Sequence, residues 1–102
     1  MSVERQEIVT AISLRSVVEM RYESQASRVV HPHVLYRGAE GQELLDTYQV
    51  AGFTHKGRLP AWRLFSVSKI TEFRMLEAVF EIAPGYNPDS PKYRGALIVR
   101  VH

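Results

Sequence analysis

The chain has 102 residues, enough for one compact domain and too few for two. It has no cysteine, which excludes a disulfide framework, a thiolate zinc site and a cysteine nucleophile. The net charge is only +2, although ten of the thirteen basic residues are arginine, the side chain suited to bidentate contact with phosphate or carboxylate. The amphipathic N-terminus has no apolar run long enough for a signal peptide or a membrane span, so the expected protein is soluble and cytoplasmic with no membrane partner.

The first element is a helix over about residues 3–15. Ser2 is a candidate cap, Glu4 and Glu7 suit the positive end of the helix dipole, and Ile8, Ala11 and Ile12 share one face. The period changes near Arg15, where Val18, Met20 and Tyr22 alternate with Val17, Glu19 and Arg21 as in a strand. A polar ESQAS loop separates this from RVVHPHVLY, a β-branched and aromatic run. Pro32 lacks the N–H of a ladder, so that strand is expected at an edge or bent there.

A glycine-containing turn follows, then the long strand ELLDTYQVAGF. It sets Leu44, Asp46, Tyr48 and Val50 on one face and Leu45, Thr47, Gln49 and Ala51 on the other. AWRLFSV and ITEFRML are two further strands. AVFEI reads as strand or short helix, and APGYNPDSPKY as a loop holding three of the five prolines. ALIVRVH alternates as a terminal strand that closes the sheet or extends toward a second subunit. Short sequential strands linked by turns predict a mainly β protein, a small antiparallel SH3-like or Sm-like barrel with one N-terminal helix. Barrel strands are expected over about 17–75, with a C-terminal extension over 76–102.

Four segments together resemble the WYL domain, a bacterial module with an Sm-like or SH3-like barrel. IVTAISLRSVVEMRY resembles the family's opening. Arg28, Val30, Pro32 and Leu35 sit where the family has R-x-V-x-P-x-x-L; LLDTYQVAGF resembles the strand that names it, and WRLFSVSKI resembles the R-x-F-R-L-D-R-I segment. The Trp-Tyr-Leu triplet stands here as Thr47, Tyr48 and Gln49. Arg63 and Phe65 match, whereas Ser66, Ser68 and Lys69 replace an arginine, an aspartate and an arginine. The resemblance covers about residues 8–75 and implies a single WYL-like domain over 1–102. It also implies a non-enzymatic sensor of nucleic acid or nucleotides, in bacterial transcription control or phage defence.

Arg28, Arg63 and Arg74 lie on three strands, and brought together beside Tyr48 they make a site for phosphates and a stacked base. Otherwise they form surface pairs with Glu19, Glu72 or Asp46, worth about 0–1 kcal/mol each. His31 and His33, two apart on a strand, have the spacing of two zinc ligands, but nothing fixes His55 or Asp46 as a third. No metal or other cofactor is therefore expected. The pair is read as half exposed, or as donors to an anion site when protonated.

Trp62, Phe65, Phe73, Tyr22 and Tyr36 are expected in the barrel core and rim, and Tyr86 and Tyr93 are expected to pin the proline-rich loop. None of Glu19, Glu43, Asp46 and Glu72 shows a sign of burial, and no nucleophile motif or glycine-rich phosphate loop is present, so an enzyme is not expected. The expected ligand set is Arg28, Tyr48 and Arg63, with His31, His33 and Arg74 around it. The expected partners are single-stranded nucleic acid or a nucleotide, in a homo-oligomer or a larger regulatory complex. The competing expectation is a protein–protein interaction or oligomerisation module that has lost ligand binding.

Overall fold

The computed structural model describes residues 3–55 and 57–102. The expected cap, Ser2, lies outside them. Helix α1 spans Arg5–Leu14 with Glu4 at the cap position, where the Glu4 N–H donates to the Glu7 carboxylate at 3.1 Å. Ile8, Ala11 and Ile12 are fully buried, as their spacing predicts. The helix stops because Arg15 turns left-handed (φ 52°) and donates its N–H back to Ile12 at 3.1 Å. That reversal feeds directly into the sheet, which is the physical content of the period change near Arg15.

The strands are β1 (Ser16–Tyr22), β2 (Arg28–Arg37), β3 (Glu43–Gly52), β4 (Ala61–Ser66), β5 (Ile70–Val79) and β6 (Leu97–Arg100). All pairings are antiparallel, and the hydrogen-bonded path runs β4-β3-β2-β1-β5. In a flat sheet the two ends of this path would be about 19 Å apart. Yet β4 and β5 are joined by one three-residue 3₁₀ turn, Val67–Lys69, which reaches only about 6 Å. The sheet therefore curls on itself, and the Ser66 N–H donates across the gap to the Tyr22 hydroxyl at 3.2 Å. Val18, Met20, Val30, Leu35, Leu45, Phe65 and Ile70 fill the inside, and α1 packs against them.

Of the two expectations for Pro32, the structure takes the bent strand. On one edge β2 pairs β1 as far as Val30 and β6 from Val34 to Tyr36, leaving Pro32 between the two ladders. On the other edge Pro32 faces Thr47 and Val34 faces Asp46, so His33 is the extra residue of a bulge. AVFEI is neither strand nor helix throughout: Ala78 and Val79 end β5, and the chain then leaves the sheet. Residues 80–96 cross the outer face of β2, β3 and β4, burying Phe80, Ala83 and Tyr93. β6 then returns to pair with β2 of its own chain. Among the described residues no helix is long and apolar enough to cross a membrane.

Candidate anion site

Arg28 opens β2, opposite Met20 of β1 and Gly52 of β3. Gly52 has φ +91°, and a Cβ there would lie 2.5 Å from the Ser27 carbonyl oxygen and 2.6 Å from the Arg28 Cα. Glycine lets β3 come this close, and the approach sets Arg28 at the inner mouth of the barrel. Its residue is only 4% exposed, and its guanidinium lies 5.0, 5.2 and 5.6 Å from the ring centres of Phe65, Phe53 and Tyr22. Cation–π attraction to three rings replaces part of its lost hydration.

The polar partners of Arg28 are amides. Nη1 donates to Gln49 Oε1 at 3.4 Å, and Nη2 donates to Gln25 Oε1. Gln49 is aimed by its own Nε2, which donates to the Phe53 carbonyl at 2.7 Å and the Ala51 carbonyl at 3.2 Å. Nε of Arg28 is buried without a hydrogen-bond partner, and among the described residues no carboxylate forms an ion pair with this side chain. Burial lowers its proton affinity; Arg63 nearby lowers it further, while Tyr22 and Glu23 oppose. Guanidinium stays charged in proteins, so this is a desolvated cation held without an ion-paired carboxylate.

Arg63 sits on β4 opposite Thr47, on the inner side of the sheet with Phe65. It donates to the Trp62 carbonyl at 3.1 Å and to the Thr54 hydroxyl at 3.2 Å. Arg28 and Arg63 line a common cleft of about 280 Å³. Tyr22, Glu23, Gln25, Thr54, His55, Leu64 and Phe65 complete its lining. His55 Nε2 lies 2.8 Å from Gln25 Nε2.

The other expected contacts lie elsewhere. Tyr48 is on the outer face, edge-on to Trp62 at 5.5 Å and opposite His31. His31 stacks on Phe80 at 4.8 Å. His33 is fully buried rather than half exposed: Nδ1–H donates to the His31 carbonyl at 2.8 Å, and Nε2 accepts from the Ala83 N–H at 3.0 Å. Both ring nitrogens are engaged, which leaves neither for a metal. Burial lowers the pKa of both histidines. Arg74 pairs with Glu19 on the surface and lines no part of the Arg28 cleft. Among the described residues no three His, Cys, Asp or Glu side chains gather as a metal site.

Asp46 departs from the sequence reading, because it is 6% exposed rather than solvated. Its carboxylate accepts from the Tyr93 hydroxyl and pairs with Lys92 Nζ at 2.8 Å. Burial and this bond push ionisation of Tyr93 far above the ordinary tyrosine range. Tyr93 also packs edge-on to Tyr36 at 4.9 Å, so it pins the C-terminal loop as expected. Sequence reading did not place Gln25, Gln49 or His55 at an anion site. His55 figured there as an unfixed third zinc ligand, and Gln49 as a long polar side chain on the face of β3 that holds Leu45.

No family model matches the chain, and no curated protein matches it. Among solved structures it is similar to proteasome accessory factor B/C (PafBC) of Arthrobacter aurescens, with a TM-score of 0.63 and 22% identity. The likeness covers 81% of this chain and 13% of that one. At this identity it shows the fold: a mainly β antiparallel sheet with one N-terminal helix, shared with one part of a longer protein.

Proposed function

We propose that the chain is a non-enzymatic, regulatory ligand-binding module of the WYL type, whose Arg28–Arg63 cleft takes the phosphates of single-stranded nucleic acid or a nucleotide. The observation that carries this reading is Arg28, a guanidinium 4% exposed with amide and aromatic partners and, among the described residues, no carboxylate ion pair. A buried cation without an ion-paired anion is destabilising, and the natural remedy is an anion from solution. The resemblance at Arg28 and Arg63 and the fold shared with part of PafBC both support it. The setting that goes with the resemblance is bacterial transcription control or phage defence in the cytoplasm, as a homo-oligomer or one part of a larger assembly.

The second reading is a protein–protein interaction module. It is favoured by three exposed apolar side chains, Leu14, Val79 and Ile82, where the end of α1 meets the end of β5. A salt titration separates the two. A labelled oligothymidylate of about eight nucleotides should bind with affinity that falls linearly in log–log coordinates with salt. Arg28→Met or Arg63→Ala should each flatten the slope by about 0.7, the increment for one lost contact to a single strand. Failure of the protein to bind the oligonucleotide or any nucleotide at low salt would favour the interaction module.

A further inference from the structure

We infer that His55 and Gln25 make anion binding at Arg28 proton-coupled, so that the cleft takes its ligand more tightly below neutral pH than above it. This rests on the Arg28–Arg63 cleft being the ligand site and adds its regulation. The geometry is a three-residue relay. Oε1 of Gln25 accepts from Arg28 Nη2, which fixes the orientation of that side-chain amide. Nε2 of Gln25 therefore faces His55 and donates to its Nε2 at 2.8 Å. An amide nitrogen has no acceptor capacity, so His55 Nε2 is the acceptor and carries no proton.

Protonation of His55 breaks this arrangement. An N–H at Nε2 would oppose the amide N–H₂ of Gln25, donor against donor. The contact is restored when Gln25 turns its amide over and presents Oε1 to the imidazolium. Arg28 Nη2 then loses its acceptor, and a buried guanidinium with a vacant donor draws an anionic oxygen into the cleft. The imidazolium adds positive charge at the rim. The titratable and charged groups facing His55 across the cleft are Tyr22 at the end of β1, Glu23 just after it, Arg28 from β2 and Arg63 from β4.

The test measures binding of unphosphorylated oligothymidylate at about pH 8 and about pH 5.5, the interval in which an imidazole ordinarily gains its proton while phosphodiesters keep their charge. Binding by the wild-type chain should tighten about ten-fold at the lower pH, within the usual range of coupling between two sites. In His55→Gln the ratio of the two affinities should collapse to about one, whereas in His31→Gln, on the outer face, it should persist. Gln25→Ala leaves Arg28 Nη2 without its amide in either state, so it should bind more tightly than wild type at the higher pH.

Binding that depends on Arg28 but is flat with pH overturns the coupling and leaves the ligand site standing. So does a pH response that survives His55→Gln, or a Gln25→Ala variant that binds more weakly at high pH. Absence of binding at both pH values, or binding indifferent to Arg28→Met, removes the ligand site and the coupling with it.

Discussion

The imidazole of His33 and the backbone of Ala83, fifty residues apart, are joined by a 3.0 Å hydrogen bond in the buried space between the sheet and the C-terminal segment. His33 is the extra residue of the β2 bulge, so the bend forced near Pro32 also points the ring outward to meet that segment. Trp62, Phe80 and Tyr86 surround it. His33→Ala removes a packed ring and orphans a buried N–H, so it should destabilise the fold by about 2–4 kcal/mol. Urea unfolding of the two proteins measures this, and a loss within error of zero would mean that the segment does not depend on His33.

The same ring sets an acid limit on stability. Burial holds the folded-state pKa of His33 below that of the unfolded chain, and His31 shifts in the same direction. The unfolded chain therefore binds more protons in the window just below about pH 6.5, and stability rises with pH there. The contribution is fully present above that value and is lost as the pH falls toward the depressed folded value. Urea midpoints should drop from neutral pH to about pH 5, with a smaller drop in His33→Gln.

The fold was legible because strand and helix periods are properties of neighbouring residues. Alternation over 17–22 and 43–51 marked two strands, and helical spacing of Ile8, Ala11 and Ile12 marked α1. The site was legible only in part. Arg28 and Arg63 drew notice as arginines on strands, but grouping them with Arg74 and Tyr48 required knowing which strand faces curl inward. Arg74 instead meets Glu19 across the β1–β5 pair, and Tyr48 faces outward with Trp62. His55 and Gln25 lie in loops and are brought together by the pairing of Arg28 on β2 with Gly52 on β3, a relationship with no local period to announce it.

Gly52 holds the mouth of the site open to Arg28. A side chain there combines positive φ with a methyl 2.5 Å from the Ser27 carbonyl oxygen. Both obstacles are backbone, which cannot swing aside as a flexible side chain would. Gly52→Ala should cost about 1–3 kcal/mol from the strained dihedral, and the steric push adds to it. The push falls on Arg28, so oligonucleotide binding should weaken even at temperatures where the variant is fully folded; unchanged affinity would separate the glycine from the site.

Tyr93 and Asp46 fasten the proline-rich loop over the outer face. Tyr93→Phe deletes the hydroxyl donor and leaves the carboxylate with Lys92. A hydrogen bond to a charged acceptor is worth about 1.5–3 kcal/mol, and the loss should be felt in residues 84–92 before it is felt in the barrel. Limited proteolysis should cut this loop faster in the variant, with amide exchange in β1 and β2 less affected. Equal protection of loop and barrel would mean that the two unfold as one unit.

Arg28 and Arg74 offer opposite substitutions on one fold. Arg74 is exposed and paired with Glu19, an arrangement worth about 0–1 kcal/mol, so Arg74→Ala should change neither stability nor the salt slope of binding appreciably. Arg28→Met keeps a long apolar stem against Phe53 and Phe65 while removing a buried charge that lacks an ion-paired carboxylate. The lost amide and cation–π contacts oppose the relief of desolvation, so the folding free energy should stay within about 1 kcal/mol of wild type or rise above it. Binding should nevertheless weaken, with the flatter salt slope of one lost phosphate contact. A core position where the apolar variant folds as well and binds worse is one kept charged for its ligand. A large fall in stability for Arg28→Met, with binding intact in the folded fraction, would make the guanidinium a structural element instead.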